Sequence, residues 1–178
     1  MKLKIIFLLI LTPLIARDIY FTRSGNVSFF SSTPIEDIKA INNQMTCVLD
    51  IETGDVSFRI PILGFNFPNG LMQEHFNENY MESDIYPNAS FKGRVQDWSE
   101  KNLTEESQDI TIDGIMKIHG VSKKISEKGI ISFVKGNVVG NAKFQIMVAD
   151  YGIEIPKLVR EKIAKIINVN IELVLKKK

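Results

Sequence analysis

Apolar and polar side chains alternate along much of this sequence, and that alternation constrains the fold more than any other feature. It is clearest near the C terminus, where one side of the run carries Ile167, Val169, Ile171, Leu173 and Leu175. A period of two residues is typical of a strand with one buried and one solvated face. We count roughly eight such runs, the number at which a closed antiparallel barrel is filled by its own side chains or holds one small ligand. The last run is expected to pair with the first and close the barrel.

A short helix is predicted to cap this barrel. Leu71, Met72 and Phe76 share one side of a helical period. Pro87 prevents its continuation, because proline lacks an N–H group and disfavours helical backbone at the residue before it. Residues 89–95 then alternate as a strand. A helix that leads onto the end of an antiparallel strand is placed to cover the mouth of a barrel.

Turn residues arrange the central and C-terminal runs as hairpins. The three predicted hairpins are residues 45–50 with 56–60 around Glu52-Thr53-Gly54, residues 109–118 with a return strand from Val121 around His119-Gly120, and residues 130–134 with 138–148 around Gly136-Asn137. Hairpins of this kind favour an antiparallel all-β fold.

Local sequence patterns predict one further hairpin and two helices. Residues 19–23 and 27–31 predict a first hairpin turned at Ser24-Gly25-Asn26. Ser32-Thr33 before a proline predicts a helix start of about one turn. Residues 156–166 predict an amphipathic helix, since they begin with proline and carry apolar residues on one side.

The helix-to-strand segment and the second hairpin together resemble the YceI-like, lipid- and polyisoprenoid-binding family. The matching elements are His75-Phe76, Tyr86-Pro87 followed by ASFKGRV at 89–95, ITIDGIMKIHGVSKKI at 110–125 with Ser122 where threonine is frequent, and DYGI at 150–153. The resemblance implies a single antiparallel, lipocalin-like barrel around an apolar cavity, with short capping helices. It also implies secretion to the periplasm and, as in some members, a bound isoprenoid chain; a quinone is an alternative ligand.

The inward strand faces supply a candidate ligand-binding lining. Burying an apolar chain there needs little polar chemistry, because each Å² of apolar area removed from water contributes about 25 cal/mol. The candidate lining on the strands is Phe29, Phe58, Ile60, Phe91, Ile112, Met116, Phe144, Ile146 and Ile171, and at the mouth it is Leu71, Met72 and Phe76.

Residues 1–16, MKLKIIFLLILTPLIA, have the pattern of a secretory signal peptide. Lys2 and Lys4 precede an apolar run that is shorter than the roughly 20 residues of a membrane span. Cleavage is expected after Ala16, which leaves residues 17–178 as one barrel domain. We therefore expect a periplasmic or secreted protein that does not span the membrane once the signal is removed.

Composition and motifs exclude several function classes. With 22 Lys and Arg against 21 Asp and Glu, the net charge of +1 offers no field for nucleic acid. Cys47 is the single cysteine and is expected to be a buried apolar residue. No G-x-S-x-G motif and no glycine-rich phosphate loop are present. Glu74, His75 and Glu78 lie within one helical turn, but a structural metal site needs about four ligands. We expect no enzyme, no cofactor and no metal.

Two main functions stay open. The first is a carrier that stores or sequesters a lipid in the barrel. The second is an envelope stress or interaction protein with a filled barrel and no small ligand, which would hold a partner through the polar residues 96–108. An enzyme built around His75 is a third. A homodimer is compatible with the sequence.

Overall fold

The computed structural model describes residues 17–100 and 103–178. Within these ranges eight antiparallel strands follow one another around a closed barrel. The strands are β1 (Ile19–Ser32), β2 (Asp37–Asp50), β3 (Asp55–Pro61), β4 (Asn88–Val95), β5 (Gln108–Ile118), β6 (Val121–Val134), β7 (Asn137–Met147) and β8 (Ile166–Lys177). One α-helix, α1 (Gly70–His75), lies between β3 and β4. The predicted all-β barrel with short capping helices is confirmed.

Because consecutive strands are antiparallel, their connections alternate between two opposite ends of the barrel. We call the end that holds the β1–β2, β3–β4, β5–β6 and β7–β8 connections the mouth end, and the opposite one the far end. β1 pairs with both β2 and β8, and Val27 faces Asn42 on one side and Ile171 on the other. The expected closure of the barrel by the last strand is therefore confirmed.

The expected signal peptide at residues 1–16 lies outside the described residues and stays a prediction. Across residues 17–100 and 103–178, no helix is both long enough and apolar enough to cross a membrane.

The predicted N-terminal hairpin is wrong, because β1 is one strand of 14 residues. Its register with β2 shifts on both sides of Gly25, which marks a bulge rather than a turn. A Cβ at Gly25 would lie 3.3 Å from the Met45 carbonyl oxygen and 2.6 Å from its side chain, so glycine permits a close approach there. Glycine inside a strand often marks such a bulge, which explains the wrong prediction.

The predicted helix start near Thr33 is also wrong. Thr33 closes a tight turn instead: its N–H donates to the Glu36 carbonyl oxygen at 3.1 Å, and its hydroxyl accepts from the Glu36 N–H at 3.1 Å. β2 begins at the next residue, Asp37. A threonine hydroxyl that caps a turn uses the same local bonds as a helix N-cap, so the sequence signal does not distinguish them.

The three predicted hairpins are present, with one change. β6 and β7 pair at Val134 and Asn137, so the turn residues are Lys135 and Gly136 rather than Gly136-Asn137. Both have positive φ, 50° and 81°, as a two-residue hairpin turn of type I′ requires. His119 and Gly120 form an equivalent turn between β5 and β6, with φ of 48° and 76°.

Residues 156–166 contain only a short 3₁₀ helix, Lys157–Val159, rather than the predicted amphipathic helix. Tertiary hydrogen bonds replace helical ones at the end of this segment. The Ala164 N–H donates to the Ser31 hydroxyl at 2.9 Å, and the Val148 N–H donates to the Lys165 carbonyl oxygen at 3.1 Å. The segment is thus tied across the mouth end to β1 and to the residue after β7.

Packed side chains close the far end. Tyr20, Leu49 and Leu175 are buried in a cluster at this end, and Trp98 packs against it. The Trp98 indole N–H donates to the Ile51 carbonyl oxygen at 2.7 Å, which anchors the loop after β4. Trp98 lines neither of the cavities described below, so it covers the far end of the barrel.

Candidate ligand-binding site

A cavity of about 450 Å³ opens at the mouth end, and we call it the mouth chamber. The inward faces of β1 to β5, β7 and β8 form its wall, and α1 and residues 153–163 form two sides of the opening. Its lining is almost entirely apolar because period-two alternation turns every second side chain of a strand towards the barrel axis. A chamber of this size and character suits an apolar small molecule.

Four phenylalanine rings hold α1 against the barrel. Phe76, which follows α1, lies between 5.0 and 5.5 Å in centroid distance from Phe29, Phe65 and Phe67. Aromatic pairs at this spacing gain more than their buried area alone provides. Phe65 and Phe67 therefore pack beneath the helix, and they also line the mouth chamber.

The start of α1 is fixed by Asn69. Its side-chain oxygen accepts from the N–H groups of Leu71 at 2.9 Å and Met72 at 3.4 Å. These bonds satisfy N–H groups that have no partner within the helix. The Phe67 N–H also donates to the Gln73 side chain at 3.1 Å, so the segment before α1 folds back onto it.

Polar side chains of the mouth chamber cluster at its opening. Glu36, Asn69, His75 and Lys162 all line the chamber, and of these only Glu36 is partly shielded while the rest are exposed. Ser31, the second-last residue of β1 at the mouth end, is buried, and its hydroxyl accepts from the Ala164 N–H. The arrangement fits a ligand with an apolar chain inside and a polar group at the rim.

A second, smaller cavity of about 90 Å³ lies towards the far end, and we call it the inner chamber. Four side chains line both chambers and form the partition between them: Phe58, Met116, Phe144 and Ile171. Phe58 stacks on Phe91, with ring centroids 5.0 Å apart and planes 18° apart, which stiffens one side of the partition. The barrel is therefore hollow at the mouth end and narrow beyond the partition.

Phe91 fits the wall because two glycines face each other beneath it. Gly93 on β4 pairs with Gly114 on β5, and a Cβ on either one would lie 2.5 Å from Cζ of Phe91. The backbones also come close, since a Cβ on Gly93 would lie 2.2 Å from the Asp113 carbonyl oxygen. Only glycine allows this approach of backbone and ring.

One carboxylate faces the inner chamber. Glu127 on β6 lies opposite Ile112 of β5, lines the inner chamber and is half-buried. Burial raises the pKa of the Glu127 carboxyl above its ordinary value of 4.5. Sequence reasoning missed this residue, although residues 123–127 continue the alternation that starts at Val121 and place Glu127 on the inward side.

The candidate lining residues all lie on the walls of these chambers. In the mouth chamber are Phe29, Phe58, Ile60, Leu71, Met72, Phe76, Met116, Phe144, Ile146 and Ile171. Phe91 and Ile112 line the inner chamber. Their contact with a ligand stays a prediction. Sequence reasoning missed the contribution of Ile153, Ile155, Val159 and Ile163, because these residues lie in an irregular segment without period-two alternation.

Neither histidine belongs to a metal-ligand cluster: within residues 17–100 and 103–178, no group of three or more His, Cys, Asp or Glu could hold a metal ion. His119 instead joins three mouth-end connections. Its ring nitrogens lie 2.7 Å from the Glu82 carboxylate and 3.2 Å from the Tyr151 carbonyl oxygen, and Tyr86 packs edge-on against the ring. His119 was expected only as a turn residue, but it also links the β5–β6 turn to the β3–β4 and β7–β8 connections at the mouth end.

Comparison with known proteins identifies the family. A family model described as the YceI-like domain matches residues 22–175, which is most of the chain and all eight strands in part or whole. The chain belongs to the YceI-like family. The resemblance seen in the sequence is thereby confirmed. A comparison with curated proteins found no match.

Solved structures of YceI-like and related proteins share the fold. A polyisoprenoid-binding domain from Saccharophagus degradans, implicated in plant cell wall breakdown, matches with a TM-score of 0.80 at 15% identity over 92% of this chain and 100% of its own. BcnA of Burkholderia cenocepacia matches with 0.72 at 11% identity over 84% and 95%. The YCEI protein of Campylobacter jejuni matches with 0.56 at 14% identity over 99% and 93%. At these identities the similarity shows a common fold.

Proposed function

We propose that this protein is a non-enzymatic carrier that holds an isoprenoid-type or other single-chain lipid in the mouth chamber. The observation that carries the proposal is the apolar chamber of about 450 Å³, open at one end of a closed barrel. A barrel whose interior were only packed core would have no such space. The polyisoprenoid-binding domain from Saccharophagus degradans, which has the same fold, supports the choice of ligand class.

Binding in this chamber would depend on burial rather than on polar recognition. Each CH₂ group removed from water contributes about 0.8 kcal/mol, from which the cost of ordering the ligand is subtracted. The polar side chains at the rim, Glu36, Asn69, His75 and Lys162, would leave a ligand's head group in contact with water. The carrier would therefore select for an apolar chain more strongly than for one head group.

The same proposal includes a location outside the cytoplasm, in the periplasm or secreted. The pattern of residues 1–16, with two lysines before an apolar run, supports export. A carrier in an aqueous compartment would allow an insoluble lipid to be stored, moved or sequestered there.

Organic extraction of the protein purified from its native envelope, followed by mass spectrometry, tests the proposal. We expect one isoprenoid or quinone per chain. A clean extract, together with no binding of added isoprenoids to the purified protein, would contradict the carrier proposal. That outcome would favour an envelope protein that holds a partner through residues 96–108 instead.

A further inference from the structure

We propose that the mouth end of the barrel docks onto an anionic membrane surface, where the carried lipid enters or leaves the mouth chamber. The inference rests on the proposed carrier function and names the surface with which that carrier exchanges its ligand. It is carried by two independent features of the mouth end, one apolar and one electrostatic.

The first feature is where the exposed apolar side chains lie. The five most exposed large apolar side chains among residues 17–100 and 103–178 are Leu158, Ile85, Leu63, Leu71 and Ile35, with 97% to 58% of their surface accessible. All five lie in connections at the mouth end. The far-end connections carry none of them, since Ile51 is buried and Trp98 and Leu103 pack into the far-end cluster. Exposed apolar side chains gathered at one end of a protein mark an interaction surface.

Three of these side chains lie on segments that line the opening. Leu71 lines the mouth chamber, while Leu158 and Ile35 are each adjacent in sequence to a lining residue, Val159 and Glu36. They come from three separate segments around one opening. An apolar surface that is continuous with an apolar chamber lets a lipid chain pass between bilayer and barrel with little exposure to water.

The second feature is a basic lip, which we define as residues 157–165. It carries Lys157, Arg160, Lys162 and Lys165 against one acidic residue, Glu161. All four cations are exposed, and none takes part in the ion pairs found within the described part of the chain. Apolar side chains beside unpaired lysine and arginine are typical of segments that bind the interface of anionic membranes.

The charge of the opening predicts a tilted approach. The other mouth-end segments are acidic, so the lip is the basic part of this end. Glu74, Glu78, Glu82 and Asp84 lie between β3 and β4, Glu36 lies before β2, and Asp150 and Glu154 precede the lip. Of these, Glu82 pairs with His119 and Asp150 with Lys123. The basic lip would face the lipid phosphates, with Leu158 inserted among the head groups, while the acidic segments would lie further from the surface. Leu158 is held in this position because the lip is tied to β1 through Ser31 and Ala164.

Co-sedimentation with vesicles tests the proposal. One set of vesicles is phosphatidylcholine alone, and in the other part of the phosphatidylcholine is replaced by phosphatidylglycerol. We expect the protein to bind the second set more strongly and to lose that preference as salt is raised, since exposed charges are screened. Equal binding to both sets, or binding to neither, would overturn the proposal.

Two variants locate the binding surface. Leu158→Glu is expected to weaken vesicle binding several-fold, and Lys157→Glu with Arg160→Glu by roughly tenfold or more, because each cation near an anionic surface is worth about fivefold. These side chains are exposed, so the barrel is expected to keep its melting temperature. The matched control is Lys176→Glu with Lys178→Glu, which makes the same charge change at the far end. An equal loss of binding in the control would show that net charge, not the mouth end, decides binding.

Binding of farnesol in solution separates this inference from the carrier proposal. Wild type and lip variants are expected to bind farnesol equally, because the substituted side chains do not line the chamber. Farnesol binding without any vesicle binding would overturn the docking inference alone. If vesicles bind but farnesol does not, the carrier proposal is contradicted, while the docking of the mouth end onto an anionic membrane is still supported.

Discussion

Cys47 shows what the barrel wall does to a single side chain. It is 1% exposed on β2, and burial raises the pKa of its thiol from 9.0 to about 12. Because the thiolate is the reactive form, the thiol in the folded protein is expected to be inert. The residue is therefore an apolar part of the wall, as its sequence context indicated.

Thiol titration checks this expectation. Cys47 should not react with Ellman's reagent in the folded protein and should react at once after unfolding in urea. The favourable contribution of the neutral thiol to stability is complete below pH 9.0 and is lost as the pH rises towards about 12. A variant with Cys47→Ala and Lys124→Cys, which moves the thiol to an exposed position, is the control and should react while folded. Rapid reaction of folded wild type would contradict the burial.

At neutral pH, Glu127 is expected to destabilise the folded protein, whereas the neutral thiol of Cys47 stabilises it. Burial raises the pKa of its carboxyl, so the folded protein favours the protonated form. The stabilising contribution is complete below the ordinary value of 4.5 and is lost as the pH rises through the higher folded value. At neutral pH the ionised carboxylate therefore destabilises the barrel.

Thermal unfolding of Glu127→Gln measures this effect. We expect a higher melting temperature than wild type at neutral pH, and a difference that shrinks as the pH is lowered below 4.5. Glu105→Gln, in the exposed loop before β5, is the control and should leave the melting temperature unchanged both at neutral pH and at low pH. A Glu127→Gln protein that is less stable at neutral pH would indicate that the carboxylate has a stabilising partner in the chamber.

At the scale of elements, α1 is a short lid on a stable barrel. It has six residues, which is too few to be stable alone, so it depends on the phenylalanine cluster and on its cap, Asn69. The strands depend instead on closed pairing around the barrel. The lid is therefore expected to open without unfolding of the wall.

Asn69→Ala tests the independence of the lid. Loss of an N-cap costs about 1 kcal/mol of helix stability, so a fluorescent farnesyl probe should leave the mouth chamber several-fold faster. The melting temperature of the barrel should hardly change. Asn137→Ala, beside the far-end turn, is the matched control and should leave the dissociation rate unchanged. An equal dissociation rate in Asn69→Ala and wild type would show that ligand exchange does not pass α1.

For the whole molecule, the partition between the chambers decides how long a chain the barrel can hold. Phe58, Met116, Phe144 and Ile171 separate about 450 Å³ at the mouth from about 90 Å³ beyond. Space that is divided in this way suits a short chain or a chain end. Side-chain volume at the partition should therefore set the preferred chain length.

Substitutions at Phe144 test this relation. Phe144→Trp is expected to reduce farnesol uptake, because it fills the mouth chamber. Phe144→Leu is expected to shift preference towards longer isoprenoid alcohols, because it opens the way to the inner chamber at a smaller cost than truncation to alanine. Phe30→Trp, which faces outwards on β1, is the control. Unchanged uptake and unchanged chain preference in both Phe144 variants would contradict ligand binding at the partition.

Period-two alternation determined most of the fold from the sequence alone. It placed Phe144 and Ile146 on the inner face of β7 and predicted the number of strands, because strand geometry turns alternate side chains to opposite faces whatever the context. Turn signals were less decisive. Gly25 and Thr33 have the same local chemistry in a bulge or a tight turn as in a hairpin or a helix cap, and only pairing with β2 distinguished them.

The sequence by itself thus determined the barrel, its inward faces, the short helix before β4 and the family to which the chain belongs. Only the tertiary structure decided that the barrel is hollow at one end and divided by a partition, because cavity volume depends on how side chains from distant strands meet. It also decided that residues 157–165 lie beside the opening with their cations exposed. That position depends on the hydrogen bond between Ala164 and Ser31 of β1, which are 133 residues apart in sequence. Local sequence patterns carry no information on contacts between such distant residues.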